Sequence, residues 1–275
     1  MYEKFKDIEN KKEFAYFLGF FWADGTINCK KYSVIEIQKD DADDLYRIFD
    51  VAVNFKRTER TRQGRKPQTV FFINDKDLAD FFIRMGKYPG SVESHKNIIK
   101  WINKKYRLYF LRGLIDGDGC FYSGPANKKW RNNTVHFTIG SSINQEWDGI
   151  IELCQEFGLN LTVKKRQSKN GNSSIVRSSN FGDIENFVNK LYARNDEIWL
   201  RRKHDKIIQA IAEHHTNIEA SKKRRKKYEI IYEDGQSIIT DNLREFCMKN
   251  ALCYECANRA ANGNGRYKKM TIIKK

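Results

Sequence analysis

The chain has no run of 18 apolar residues, so no segment is long enough to cross a bilayer as a helix. The opening stretch Met1–Lys12 is charged and lacks the apolar centre of a secretory signal. It is also too acidic for a typical mitochondrial transit peptide. Cysteine is sparse and scattered, at positions 29, 120, 154, 247, 253 and 256, which suits reduced thiols. The single C-x-x-C, Cys253 and Cys256, has Cys247 six residues before it but no second pair to complete four zinc ligands, so it reads as helix core. The five histidines lack ligand spacing, and His214-His215 caps or flanks the last helix. Acidic residues are in deficit: 35 Asp and Glu against 51 Lys and Arg leave a formal charge of +16. That excess favours a polyanionic partner, although a basic ribosomal or membrane-surface protein would carry the same sign. What is present is enough apolar residue, 40%, to pack a core over 275 residues.

One pattern occurs twice. Phe17-Leu18-Gly19-Phe20-Phe21-Trp22-Ala23-Asp24-Gly25 is matched by Leu111-Arg112-Gly113-Leu114-Ile115-Asp116-Gly117-Asp118-Gly119, an apolar helix signature ending in Asp-Gly. Asp24 and Asp118 hold the same place in each copy. Behind each copy the order of elements repeats. In the first half, 32–38 alternates as a strand, Asp40 and Asp41 cap a helix over about 42–50, and strands near 53–60 and 68–73 flank the basic turn 61–67. Asp75 opens a helix to about Met85. In the second half, strand 134–140, helix 145–157 ending at Gly158, strands 161–166 and 173–177, and helix 183–192 follow in the same sequence.

The pattern changes after about residue 215. Lys222 to Lys227 is a run of six basic residues, and a small module follows from Tyr228. Within it, Thr240 or Asp241 caps a helix over 243–249, Asn250-Ala251-Leu252 turns, and a second helix runs over 254–261. Two short helices around a tight turn suggest a helix-turn-helix reader of the major groove.

The doubled motif carries the chemistry. Gly19 and Ala23, like Gly113 and Gly117, are four apart and share a helix face, so the two helices can pack backbone to backbone. Gly25 and Gly119 suit the left-handed position that ends a helix. Asp24 and Asp118 then meet at negative dipole ends. Two carboxylates about 5 Å apart repel by on the order of 3 kcal/mol at an effective dielectric of about 20. A divalent cation relieves both, and hard oxygen ligands suit Mg²⁺, which activates water and stabilises the leaving 3′ oxygen of a phosphodiester. Asp116 reads as a local hydrogen-bonding or capping group.

With its lead-in Tyr109-Phe110, the second motif closely resembles the LAGLIDADG homing endonucleases, and the two-copy layout over about 14–215 is similar to their single-chain, pseudo-symmetric form. Residues 228–275 resemble the nuclease-associated modular DNA-binding segments of phage and intron nucleases. The resemblance implies an α+β fold of two pseudo-symmetric αββαββα units with saddle-shaped antiparallel sheets, plus a small, mainly helical C-terminal DNA-binding module. The expected divisions are half-domains 1–105 and 106–215, a basic linker 216–227, and the module 228–275. In the family the eighth motif position is the metal ligand, here Asp24 and Asp118, and a basic residue late in each half is catalytic, best matched by Lys96 and Lys203 with Lys87, Lys100 and Arg202 as competitors. Trp22, Phe20 and Phe21 depart from the usual motif and bear on helix packing more than on metal binding.

The resemblance further implies a staggered double-strand break in a long asymmetric DNA site, made by a monomer with Mg²⁺ or another hard divalent cation, in a cytoplasmic setting of a prokaryotic or phage-encoded protein. Candidate DNA contacts are Lys30, Arg57, Arg60, Arg62, Arg65, Lys128, Arg131, Lys164, Arg166 and Arg177 along the sheets, and Lys222, Arg224, Arg225 and Arg259 in the tail. Two rivals share the scaffold: a maturase acting on group I intron RNA, and a non-catalytic DNA-binding regulator.

Overall fold

Each motif copy is a helix that turns straight into a strand. In the first half α1 (Lys12–Asp24) leads into β1 (Gly25–Ile27), followed by β2 (Ser33–Gln38), α2 (Ala42–Ala52), β3 (Lys56–Arg60), β4 (Gln68–Ile73) and α3 (Lys76–Arg84). A two-stranded hairpin, β5 (Lys87–Tyr88) with β6 (Ser91–Val92), and the short α4 (Lys96–Trp101) connect to the second half. There α5 (Arg107–Asp118), β7 (Gly119–Pro125), β8 (Asn133–Ser142), α6 (Asp148–Glu156), β9 (Thr162–Ser168), β10 (Gly171–Ser178) and α7 (Phe181–Leu191) repeat the order. The computed structural model describes residues 11–28, 32–64, 66–88, 91–92, 95–125, 133–168, 171–193, 196–223, 226–263 and 266–275.

The two antiparallel sheets have equivalent strand orders, β1-β2-β4-β3 and β7-β8-β10-β9. Each buries one face. Ile35 and Ile37 on β2 and Phe71 and Ile73 on β4 alternate into the core, as do Val135, Phe137 and Ile139 on β8. The helices supply the matching apolar stripes: Leu45, Ile48, Phe49 and Ala52 on α2 follow helical spacing, and Asp75 caps α3 through the Asp77 and Leu78 N–H groups. Helix α1 is apolar nearly all round, and Phe14 through Trp22 are all buried.

At the centre, α1 crosses α5 at backbone contact. A Cβ on Gly19 would fall 1.9 Å from the Phe110 carbonyl oxygen, and one on Gly113 would fall 2.0 Å from that of Tyr16. Both pairs are related by the 94-residue offset of the repeat, so the crossing is two-fold symmetric in the backbone. Only glycine permits it.

Some expectations need correction. Gly25 and Gly119 are extended, with φ of −77° and −72°, rather than left-handed. The chain leaves each helix directly as a strand, and the glycines serve close packing instead: a Cβ on Gly25 would meet the Phe21 ring at 2.3 Å. Asp41 does not cap α2; it is paired with Arg202. His214 lies within the 23-residue α8 (Arg201–Lys223), against the Phe181 ring. That helix also occupies most of the stretch expected as a linker.

The chain divides into two compact units, Met1–His214 and His215–Lys275. The second unit holds β11 (Tyr228–Tyr232), β12 (Ser237–Thr240), α9 (Leu243–Lys249), α10 (Tyr254–Asn262), β13 (Arg266–Tyr267) and β14 (Met270–Lys274). The two expected helices are present, with Ala251 in the turn at positive φ. The unit also carries a four-stranded antiparallel sheet, order β12-β11-β14-β13, that the sequence did not announce. Ile230, Ile272, Leu243, Phe246, Cys247 and Ala257 are buried in its small core.

Candidate active site and nucleic-acid interface

Because α1 and α5 touch through their backbones, their last residues arrive together. Asp24 and Asp118 both line one cleft of about 390 Å³, with Trp22, Gly25, Lys87, His95, Ser142 and Gln145 among its walls. A Cβ on Gly117 would lie 3.4 Å from an oxygen of Asp24, so that carboxylate rests against the opposite helix. Burial raises the Asp24 pKa, opposed by the charges of Lys203 and Lys87. Burial and then the Asp24 charge push Asp118 up to about 6. Two desolvated acids that repel one another form a site short of positive charge.

Two lysines flank the pair. Lys87 comes from β5, is 6% exposed, and donates to the Trp22 carbonyl at 2.7 Å. Its burial lowers it to about 8 against the pull of Asp118 and Asp24. Lys203, from the first turn of α8, donates to the carbonyls of Ile115, Gly117 and Gly119 at 3.1, 2.8 and 3.0 Å. Burial lowers its pKa too, opposed by Asp116 and Asp24. Asp116 anchors that helix: its Oδ2 accepts from the Leu200 N–H at 2.8 Å and from the Tyr16 hydroxyl at 2.7 Å. Asp116 is therefore a positioning group behind the cleft. Trp22 is 1% exposed and packs edge-on to Phe82, so its size is absorbed in the core.

Lys96 is placed elsewhere. Its ammonium pairs with Asp148 at 3.2 Å on the surface, and Lys87 stands where Lys96 was expected. The physical reason is the hairpin β5–β6, which returns the chain to the end of α1 before α4 begins.

Among the described residues no group of three or more His, Cys, Asp or Glu converges as a metal cage. The donor set at the cleft is two carboxylates, which fits a hard cation that takes most of its shell from water and phosphate oxygens.

Strand parity sorts the basic residues. On the first sheet the face away from the core carries Val34, Glu36, Lys56, Thr58, Arg60 and Phe72, aligned by register. Arg60 lies on it, and Arg62 pairs with Glu36 at 3.1 Å. Arg57 points the other way, toward α2, bonded to Asp43 at 2.9 Å and lying over the Tyr46 ring. On the second sheet Lys164, Arg166 and Arg177 share one face with Tyr122, Thr138 and Ser142. Arg259 is exposed on α10. Lys30, Arg65, Lys128, Arg131, Arg224 and Arg225 lie outside the described residues, as does the Lys222 side chain. Lys56, Tyr122 and His95 were not singled out from the sequence. Lys56 was findable, since it sits two and four places before Thr58 and Arg60 on an alternating strand.

A model of the WhiA LAGLIDADG-like domain matches residues 13–106, and a model of the LAGLIDADG-like domain matches 105–192. The chain belongs to the LAGLIDADG family. Among solved structures, the I-LtrWI LAGLIDADG homing endonuclease bound to target DNA is similar at 12% identity, covering 77% of this chain and 92% of that one, with a TM-score of 0.53. The LAGLIDADG meganuclease I-AabMI bound to uncleaved DNA is 14% identical over 76% of this chain and 92% of its own, at a TM-score of 0.49. I-DmoI in complex with DNA and Ca is 14% identical over 74% and 100%, at 0.47. No curated protein matches. The likeness to I-LtrWI establishes that this LAGLIDADG chain has the two-unit α+β fold. No helix among its described residues is long and apolar enough to cross a membrane.

Proposed function

We propose that this LAGLIDADG protein is a site-specific DNA endonuclease that, as a monomer, makes a staggered double-strand break in a long asymmetric target. One observation carries the reading: Asp24 and Asp118, solvent-facing yet raised in pKa, line one cleft at the symmetric crossing of α1 and α5. A non-catalytic scaffold gains nothing from bringing two repelling carboxylates together at the mouth of one cleft.

Asp24 and Asp118 would hold Mg²⁺ or another hard divalent cation, which when bound supplies Lewis acidity at the scissile phosphate. The protein's own groups do the remaining work. Water adds to phosphorus and gives up a proton to solvent, the P–O3′ bond breaks, and the leaving oxygen takes a proton from solvent. Among the described residues Lys87 bonds to the Trp22 carbonyl, and its remaining protons are available to the phosphorane's extra negative charge. Lys203 neutralises the carbonyl end of α5 and holds Gly117 and Gly119 in place around Asp118. The outward faces of the sheets, with Arg60, Lys164, Arg166 and Arg177, are the proposed contacts to base edges and phosphates. Arg259 on α10 would add outer contacts from the second unit.

The test is cleavage of a randomised duplex library with Mg²⁺, followed by sequencing of the cut ends. A single recurrent site with a constant stagger is the expected outcome. Binding to a group I intron RNA with no cut DNA would choose the maturase instead.

A further inference from the structure

The second unit has a basic hairpin turn with no role in the scheme above. Strands β13 and β14 pair through Arg266 with Thr271 and Tyr267 with Met270, which leaves Lys268-Lys269 as the turn. Met270 and Ile272 on β14 share the small core with Ala257 and Ala261 of α10, so the hairpin lies along that helix. Both ends are tied. The Cys253 N–H, just before α10, donates to the Tyr267 hydroxyl at 3.0 Å, and the Lys274 ammonium donates to Asn262 Oδ1 at 3.0 Å. Tyr267, next to the turn, thus meets the start of α10, while Lys274 at the far end of β14 meets its last residue. The turn therefore stands beside the first residues of α10, the end that the second helix of a helix-turn-helix presents to base edges.

Charge sets this turn apart within the unit. Lys249 pairs with Glu245 at 2.9 Å, Lys275 pairs with Glu229 at 2.6 Å, and Lys274 is held by Asn262. Lys268 and Lys269 are exposed, and neither has a carboxylate partner among the described residues. The Lys268 ammonium only overhangs the Tyr267 ring, 5.8 Å from its centroid. The acid in the first turn of α10, Glu255, accepts from the Cys253 thiol at 3.5 Å. Lys268 also has a φ of +56°, the left-handed region that two-residue hairpin turns normally fill with glycine, asparagine or aspartate. A long cationic side chain is kept there against the preference of the backbone.

We propose that the β13–β14 turn is a second DNA-contacting element of the C-terminal unit, with Lys268 and Lys269 each meeting a backbone phosphate of the duplex whose major groove takes α10. The proposal rests on the DNA-binding part of the reading above and not on its cleavage chemistry. Contacts of this kind carry no base information; they fix the register and angle at which the helix enters the groove. Duplex RNA does not fit, because its A-form major groove is too narrow to be read by a helix.

The experiment measures Kd against salt for the full chain on a long mixed-sequence DNA duplex and on the RNA duplex of the same sequence, with no divalent cation present. Lys268→Ala with Lys269→Ala should weaken DNA binding and lower the slope of log Kd against log salt by about two. Lys249→Ala with Lys275→Ala removes the same net charge from lysines that already have partners, and should keep a slope near the native one. Lys268→Gly relieves the left-handed φ, so it should lower the slope by about one without lowering the Tm. Equal slope changes in the two double variants, a native slope for Lys268→Ala with Lys269→Ala, or a change confined to the RNA duplex would overturn the proposal. The measurement needs no cut, so a chain that shows the expected slopes and yet cleaves no duplex would sink the endonuclease reading alone.

Discussion

Lys87 and Lys203 flank the same two carboxylates but hold their ammonium groups differently. Among the described residues Lys87 has one carbonyl partner, that of Trp22, and Lys203 has three at the end of α5. The pseudo-symmetry of the fold therefore stops short of the reacting groups. Replacing each lysine by Met should separate the two roles. Lys87→Met is expected to lower cleavage of one strand and to cost less stability than Lys203→Met, since it strips a donor from one carbonyl rather than three. Lys203→Met should cost about 1–3 kcal/mol as well as rate, because it strips donors from three half-buried carbonyls. Strand-resolved rates beside denaturant titrations check both.

The paired acids should make the empty protein less stable. Asp118 rises from the usual 3.8 to about 6, so the folded state binds its proton more tightly than the unfolded chain does. Its contribution is most favourable below pH 3.8, declines as pH rises toward 6, and remains a penalty above that. Asp118→Asn should therefore stabilise the metal-free protein at pH 7.5, by no more than about 1 kcal/mol because the side chain is exposed and solvent screens the repulsion, and give no gain at pH 4. Asp116 is raised in the same direction, to about 6, so the variant keeps part of the pH slope. Chemical denaturation at the two pH values, with chelator present, measures it.

Gly113→Ala tests the crossing. The added methyl carbon would fall 2.0 Å from the Tyr16 carbonyl oxygen, a backbone atom that cannot swing aside. The helices must separate, at a cost of about 3 kcal/mol or more, and the cleft opens with them. Loss of cleavage together with a lowered Tm is the expected outcome; Gly19→Ala should behave alike.

The sheet faces make a separable prediction about DNA. Lys164→Ala and Arg177→Ala should each weaken binding and reduce the slope of log Kd against log salt by about one. Arg57→Ala should leave that slope unchanged, since its guanidinium is held by Asp43 and Tyr46 on the helix side.

The motif helices, the strand order behind them and the meeting of Asp24 with Asp118 were legible because they rest on local periodicity and on small residues at fixed spacing. Nothing local sets Lys87 apart from Lys96, because its position depends on a hairpin that brings it back to Trp22 across 65 residues. Arg57 alternates with Lys56 and Thr58 on its strand, and that parity turns it to the core side, toward Asp43. The second unit's sheet was hidden for a similar reason: β11 pairs with β14 across about forty residues, and short strands at that distance carry no local signal. The run from Lys222 to Lys227 reads as linker by charge, yet α8 continues to Lys223.

The most direct measurement is Mn²⁺ binding by electron paramagnetic resonance in the complex with the selected duplex, read beside strand cleavage. The native chain should bind the ion and cut, and Asp24→Asn with Asp118→Asn should bind the duplex but neither hold Mn²⁺ nor cut. Undiminished Mn²⁺ binding and cleavage by that double variant would contradict the account.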